Sequence, residues 1–142
     1  MDYPRVGVAL ILEKDGKVLL VRRKGAHGEG TWSTPGGHLE FGELPETCAI
    51  RETKEEVGVT ASAPKFLAIT NDVFEKESKH YITIWMKAEK FMGEPLIASR
   101  REVAEIGWFN WSDLPQPMFL PLENLITHNG YPTNNISLRG ID

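Results

Sequence analysis

Three carboxylates crowd one short run, "RETKEEVG", at Glu52, Glu55 and Glu56. On a helix, Glu56 would lie about 40° to one side of Glu52 and Glu55 about 60° to the other. All three then share one stripe, where like charges repel by about 0.2–0.5 kcal/mol per pair. A solvated acidic face is the commoner meaning of such a stripe. Lys54, however, points away from it, and Arg51 is placed to hydrogen-bond one edge. A divalent cation would turn the repulsion into coordination, and hard carboxylate oxygens select Mg²⁺, Mn²⁺ or Ca²⁺ over softer metals. The D-x-D-x-D-G pattern of an EF-hand loop is absent.

The elements that must hold these side chains are legible nearby. Pro45 suits the first turn of a helix, residues 46–57 are good helix formers, and Gly58 suits the left-handed position that ends one. Ile50 and Val57 supply the face toward a core, with Thr53 turned toward it. Before the helix, "VGVALILE" and "KVLLVRRK" read as strands joined by a hairpin turn at Asp15-Gly16. "TWSTP" reads as a short strand. "KFLAITNDVFE" and "HYITIWMKAE" read as two strands joined by a polar turn, and "AEIGWFNW" as another. "LPLENLITHNG" reads as a second helix ending at Gly130. Strands interleaved with two helices predict an α/β fold with a mixed sheet between helices.

The rest of the chain bounds the function. At 142 residues, without internal repeat or linker, it reads as one domain, 1–142. It is 41% hydrophobic and 25% charged, with a net charge of −4, which offers no field for a nucleic-acid polymer. No basic run or long apolar stretch suggests a membrane. The start, "MDYPRVGVALIL", lacks the basic region and small-residue cleavage site of a signal peptide. Cys48 is the only cysteine, which fits a reducing cytoplasm. Without a partner base it reads as an inert buried thiol. The acceptor pattern "NIS" at Asn135 carries no weight without secretion. "GAHGEG" lacks the Lys-Ser/Thr of a phosphate-binding P-loop.

Gly37, Glu43, Arg51-Glu52, Glu55-Glu56 and Gly58-Val59 together resemble the Nudix box, G-x5-E-x7-R-E-U-x-E-E-x-G-U, over residues 37–59. Seven fixed matches at one start have a chance on the order of 10⁻⁸ at ordinary residue frequencies, so accident is an inadequate account. Thr53 departs from the apolar residue at the first U position. "PGGHLEFGE", "TNDVFEKESKHYITI" and "FLPLENL" extend the resemblance to a nucleotide-pyrophosphatase branch of the family.

The resemblance implies the Nudix α/β/α sandwich and hydrolysis of a diphosphate linked to another group. It implies Mg²⁺, with Mn²⁺ as a substitute. Glu52 and Glu56 would be the main ligands, Glu55 a shared or water-mediated one, and the backbone carbonyl of Gly36 a further one. Arg51 would position box carboxylates, and Glu43 would hold the loop against the helix. The general base stays open. Glu102 is favoured over Glu105 as a distal acidic ligand. Arg23 and His38 would face the phosphates, the alternatives being a solvated arginine and a locally bonded histidine. Thr83 and Phe119 match positions lining the base pocket of relatives, and the four tryptophans read as core. The expected substrate is a (deoxy)nucleoside triphosphate or modified nucleotide, cleaved to monophosphate and pyrophosphate. Alternatives are ADP-ribose, a dinucleoside polyphosphate, an isoprenyl diphosphate, or ligand sensing without catalysis. A homodimer is expected from the relatives.

Overall fold

The computed structural model describes residues 3–25 and 27–132; Asn135 lies outside them. Strand β1, Arg5–Lys14, is the spine of the sheet. It turns at Asp15 and Gly16, both with positive φ, into β2, Lys17–Arg23. This is the turn expected from Asp-Gly. The hairpin is paired only near its tip, at Glu13↔Val18 and Lys14↔Lys17. Beyond that the two strands part. β1 runs parallel to β7, Lys79–Ala88, which pairs antiparallel with β6, Lys65–Phe74. β2 pairs with β9, Val103–Asn110, and with the two-residue β3, Trp32–Ser33. The sheet is therefore mixed, as expected.

Three short strands lie outside the sequence reading. β4, Gly36–His38, pairs with β1, and β5, Thr60–Ser62, pairs with β8, Lys90–Met92. Two glycines give β4 no strand propensity of its own. Its pairing with the spine makes it a strand.

Helix α1, Pro45–Val57, covers one face of the sheet. Gly58 closes it in the left-handed conformation, its N–H donating to the Lys54 carbonyl at 3.0 Å. The second helix, α2, Leu120–Thr127, packs on β6. It stops at His128 rather than running to Gly130. Alternate residues of β1 feed the two cores: Val8, Leu10 and Leu12 pack on the α1 side, Ala9 and Ile11 on the α2 side. Both faces being covered explains the unbroken apolar run, each fully buried Leu or Ile contributing about 1.5–3 kcal/mol. This is the α/β/α sandwich. Trp32 and Trp85 are buried as core residues, while Trp108 and Trp111 are partly buried at its edges.

Candidate active site

The loop before α1 is pinned by one ion pair. Arg51 Nε donates to Glu43 Oε2 at 2.8 Å, and Arg51 Nη2 donates to Glu43 Oε1 at 3.0 Å. Glu43 also accepts the Glu40 amide at 3.1 Å. The loop is thereby fastened to the helix. The guanidinium fork holds the Glu43 carboxyl down at about 2. The remaining donor edge of Arg51 turns to the cluster: Nη1 donates to Glu52 Oε2 at 2.8 Å and lies 3.5 Å from Glu55.

The three box carboxylates do not share one environment. Glu55 is half-exposed, with 55% of its side chain accessible, whereas Glu52 keeps 14%. Glu56 is buried, at 8% exposure. Gly36 donates its N–H to Glu56 Oε1 at 3.4 Å. Burial pushes the Glu56 carboxyl well up, and the nearby Glu52 and Glu102 push further. Burial also raises Glu52, with Glu55 and Glu102 adding to the rise against the opposing pull of Arg51. One buried and one largely covered acid, with Arg51 paired to the second, are suited to receive a cation.

The glycines make this packing possible. A Cβ on Gly37 would run into the carboxylate of Glu52, and one on Gly36 would strike the backbone of Val8 and Ala9. Cys48 is fully buried, donates to the His38 carbonyl, and has its thiol pushed up to about 12, chiefly by burial. It is inert, as read from the sequence.

Glu102 lies just before β9, its carbonyl accepting the Lys24 amide at 3.0 Å. Its charge raises the pKa of Glu52, Glu56 and Arg23, so it stands within electrostatic range of the cluster. Glu105 instead pairs with Arg22 at 3.1 Å, the structural pairing expected of it. Among the described residues, no three acidic, histidine or cysteine side chains already converge as a closed metal cage. Glu55 leans to Arg51 and solvent. The hard oxygens of Glu52 and Glu56 beside Gly36 are nonetheless a set that fits Mg²⁺.

Beside the carboxylates opens a cavity of about 250 Å³ that brings together Arg23, His38, Thr83 and Phe119. Arg23 stacks on Phe119 at 3.9 Å and donates from Nε and Nη2 to the His27 carbonyl, at 3.1 and 2.8 Å. The ring of His38 stacks on Tyr81, with Nε2 3.1 Å from the phenol oxygen. Arg5 and Lys79 add positive charge to the cavity wall. His27 packs edge-on to Phe74 and Phe119, with both ring nitrogens buried and unpaired among the described residues. Burial lowers the pKa of both histidines, aided by surrounding cations. Phosphate fits the cations, and a flat ring fits the aromatic wall.

Sequence reasoning passed over His27, Phe74, Lys79 and Tyr81. Tyr81 had a usable signal, since it lies two residues before Thr83 and shares its strand face. The others are brought in by the loop after β2 and the paired ends of β6 and β7. Asp72, a fully buried acid on β6, also escaped notice.

The family model for the NUDIX domain matches residues 1–128. The ADP-ribose pyrophosphatase of Methanocaldococcus jannaschii is 32% identical over 82% of this chain and 68% of its own length. The 8-oxo-dGTP diphosphatase of Escherichia coli is 31% identical over 67% of this chain and 73% of its own. Against NAD-capped RNA hydrolases the chain spans only 40% of their length. A solved MutT NUDIX hydrolase from Burkholderia pseudomallei superposes with a TM-score of 0.80 at 28% identity, covering 99% of this chain and 100% of that one. The chain belongs to the NUDIX domain family, and its named relatives here are pyrophosphohydrolases.

Proposed function

We propose that the protein is a Mg²⁺-dependent hydrolase of a nucleoside triphosphate or modified nucleotide, releasing a monophosphate and pyrophosphate. One observation carries the reading. The buried Glu56 and the largely covered Glu52, both raised by burial, abut a cavity whose wall combines cations with aromatic rings.

Glu52, Glu56 and the Gly36 carbonyl would hold the metal, with Glu55 and Glu102 completing the set. Bound there, Mg²⁺ would supply charge screening of the diphosphate and activation of water. Arg51 fixes the rotamer of Glu52 and binds the loop through Glu43. Arg23, Arg5 and Lys79 balance phosphate charge, and His38 stands neutral at the same wall. Phe119 and Tyr81 offer ring faces to a base. A box carboxylate is the general base in this reading.

ADP-ribose is a second reading, favoured by the activity named for the 32% identical relative. Both readings predict phosphate-containing products and loss of turnover in EDTA. A panel of nucleoside triphosphates, 8-oxo-dGTP and ADP-ribose, with products identified, separates them. Turnover of ADP-ribose alone overturns the triphosphate reading. Nucleotide binding with no turnover in any divalent metal overturns both.

The single buried thiol supports a cytoplasmic setting. A homodimer belongs to the same reading, supported by exposed Phe66 and Ile69 on the sheet's outermost strand β6. Light scattering checks it.

A further inference from the structure

Asp72 is fully buried on β6, and among the described residues no cation lies among its hydrogen-bond partners. Its Oδ2 accepts from Thr83 Oγ1 at 2.5 Å and from Thr70 Oγ1 at 3.2 Å. Its Oδ1 accepts from Asn124 Nδ2 of α2 at 2.9 Å. Thr70 in turn accepts the indole N–H of Trp85 at 3.0 Å. An indole N–H only donates, so Thr70 Oγ1 is the acceptor toward Trp85. With the Asp72 carboxyl accepting from its three partners, Thr70 and Thr83 each commit their one proton to it.

Thr83 also lines the cavity. Its neighbour across the sheet is Gly7 on β1, where a methyl group would stand 3.8 Å from Thr83 Oγ1. Gly7 itself presents no side chain over that oxygen. With its proton committed inward, Thr83 has only lone pairs left for a ligand.

We propose that Asp72 is a positioning residue that makes Thr83 a hydrogen-bond acceptor toward the cavity, so that the cavity selects a nucleobase carrying an N–H group. The proposal rests on the nucleotide reading above and deepens it by naming the edge of the base that is read. A base without an N–H leaves the Thr83 oxygen desolvated and unpaired, which costs affinity.

The test is calorimetric titration of the full chain with AMP, IMP and purine riboside 5′-monophosphate. The purine base of the last carries no N–H. The better of AMP and IMP should bind at least about fivefold tighter than purine riboside monophosphate. Thr83→Val should bring the ligands within about twofold, and Thr83→Ser should restore the preference. In Asp72→Asn the amide nitrogen would donate to Thr83 and release its proton toward the cavity, so the preference should vanish. A general loss of structure would weaken all three ligands alike and leave their ratio unchanged. If purine riboside monophosphate binds wild type as well as the others do, or if Thr83→Val keeps the preference, the proposal is overturned. Turnover of the matching triphosphates is measured in parallel. Its absence, with the binding preference intact, would defeat the catalytic reading alone.

Discussion

The Arg51 guanidinium grips Glu43 through two donors, Nε to Oε2 at 2.8 Å and Nη2 to Oε1 at 3.0 Å, eight residues back in sequence. One arginine thereby fixes the loop and still reaches Glu52 with its remaining nitrogen. The sharing gives Glu43 a clear acid signature. Its carboxyl titrates at about 2 instead of the usual 4.5. The folded state then binds fewer protons than the unfolded one between those values, so acidification through that window removes stability. Glu43→Gln lacks this component. Its melting temperature should lie below wild type at pH 7, and the gap should close as pH falls from about 4.5 toward 2. A gap independent of pH would refute the account.

Glu56 should trade activity for stability. Its carboxyl is raised by burial and by Glu52, so the metal-free protein is strained by this charge near neutral pH. Glu56→Gln removes the charge and can still accept the Gly36 N–H. It should cut kcat by about a thousandfold or more, the scale of a lost charge-stabilising group. The metal-free melting temperature should rise, at about 2–4 °C for each kcal/mol of relief. A lowered melting temperature with intact activity would contradict both halves.

Neighbouring glycines should fail in different ways. At Gly37 a methyl group meets the end of the Glu52 side chain, which can swing aside. Gly37→Ala should therefore fold with a near-normal melting curve but lose about a hundredfold in kcat, because a displaced carboxylate is costly. At Gly36 the methyl meets the backbone of Val8 and Ala9, which cannot move cheaply. Gly36→Ala should lower the melting temperature strongly. Equal effects at both sites in melting and turnover would reject this distinction.

Arg23 should resist its conservative replacement. Lysine keeps the charge but loses the fork held by the His27 carbonyl and the flat stack on Phe119. Arg23→Lys should reduce kcat/KM about tenfold, or about 1.4 kcal/mol, mainly through KM. Wild-type kinetics would place phosphate recognition elsewhere.

Divalent metal should stabilise as well as activate. At ten times its dissociation constant, Mg²⁺ should add about 1.4 kcal/mol to wild type. The shift should be lost in Glu56→Gln and unaffected by Glu105→Gln, whose parent pairs with Arg22 away from the cluster. An unchanged wild-type melting curve in saturating Mg²⁺ would defeat the metal assignment.

The carboxylate helix was legible because its information is local. Arg51, Glu52, Glu55, Glu56 and Gly58 sit within two turns, where spacing alone decides who faces whom. The hydrophobic strands were legible for the same reason. β4 was not, since Gly36 and Gly37 become a strand only by pairing with Val8 and Ala9. The unequal burial of Glu55 and Glu56 was hidden too. Helical angle places them near one another, but the sheet beneath decides which is covered. Asp72 was least legible. Its partners stand on β6, β7 and α2, and no local pattern distinguishes a buried acid from a surface one.

No residue of α1 lines the cavity. Its walls come from β1, β4, β7, the end of β6, the segments around β2 and β3, and the start of α2. In the proposed reading, most of the metal-holding carboxylates and the surface that would choose a molecule are thus carried by different parts of the chain, meeting at Gly36 and Gly37. Substitutions at Phe74, Tyr81 or Phe119 can retune what enters without disturbing the acids that α1 carries. If the proposed reading holds, an engineer could rewrite the selectivity of this scaffold while leaving the carboxylates of α1 untouched.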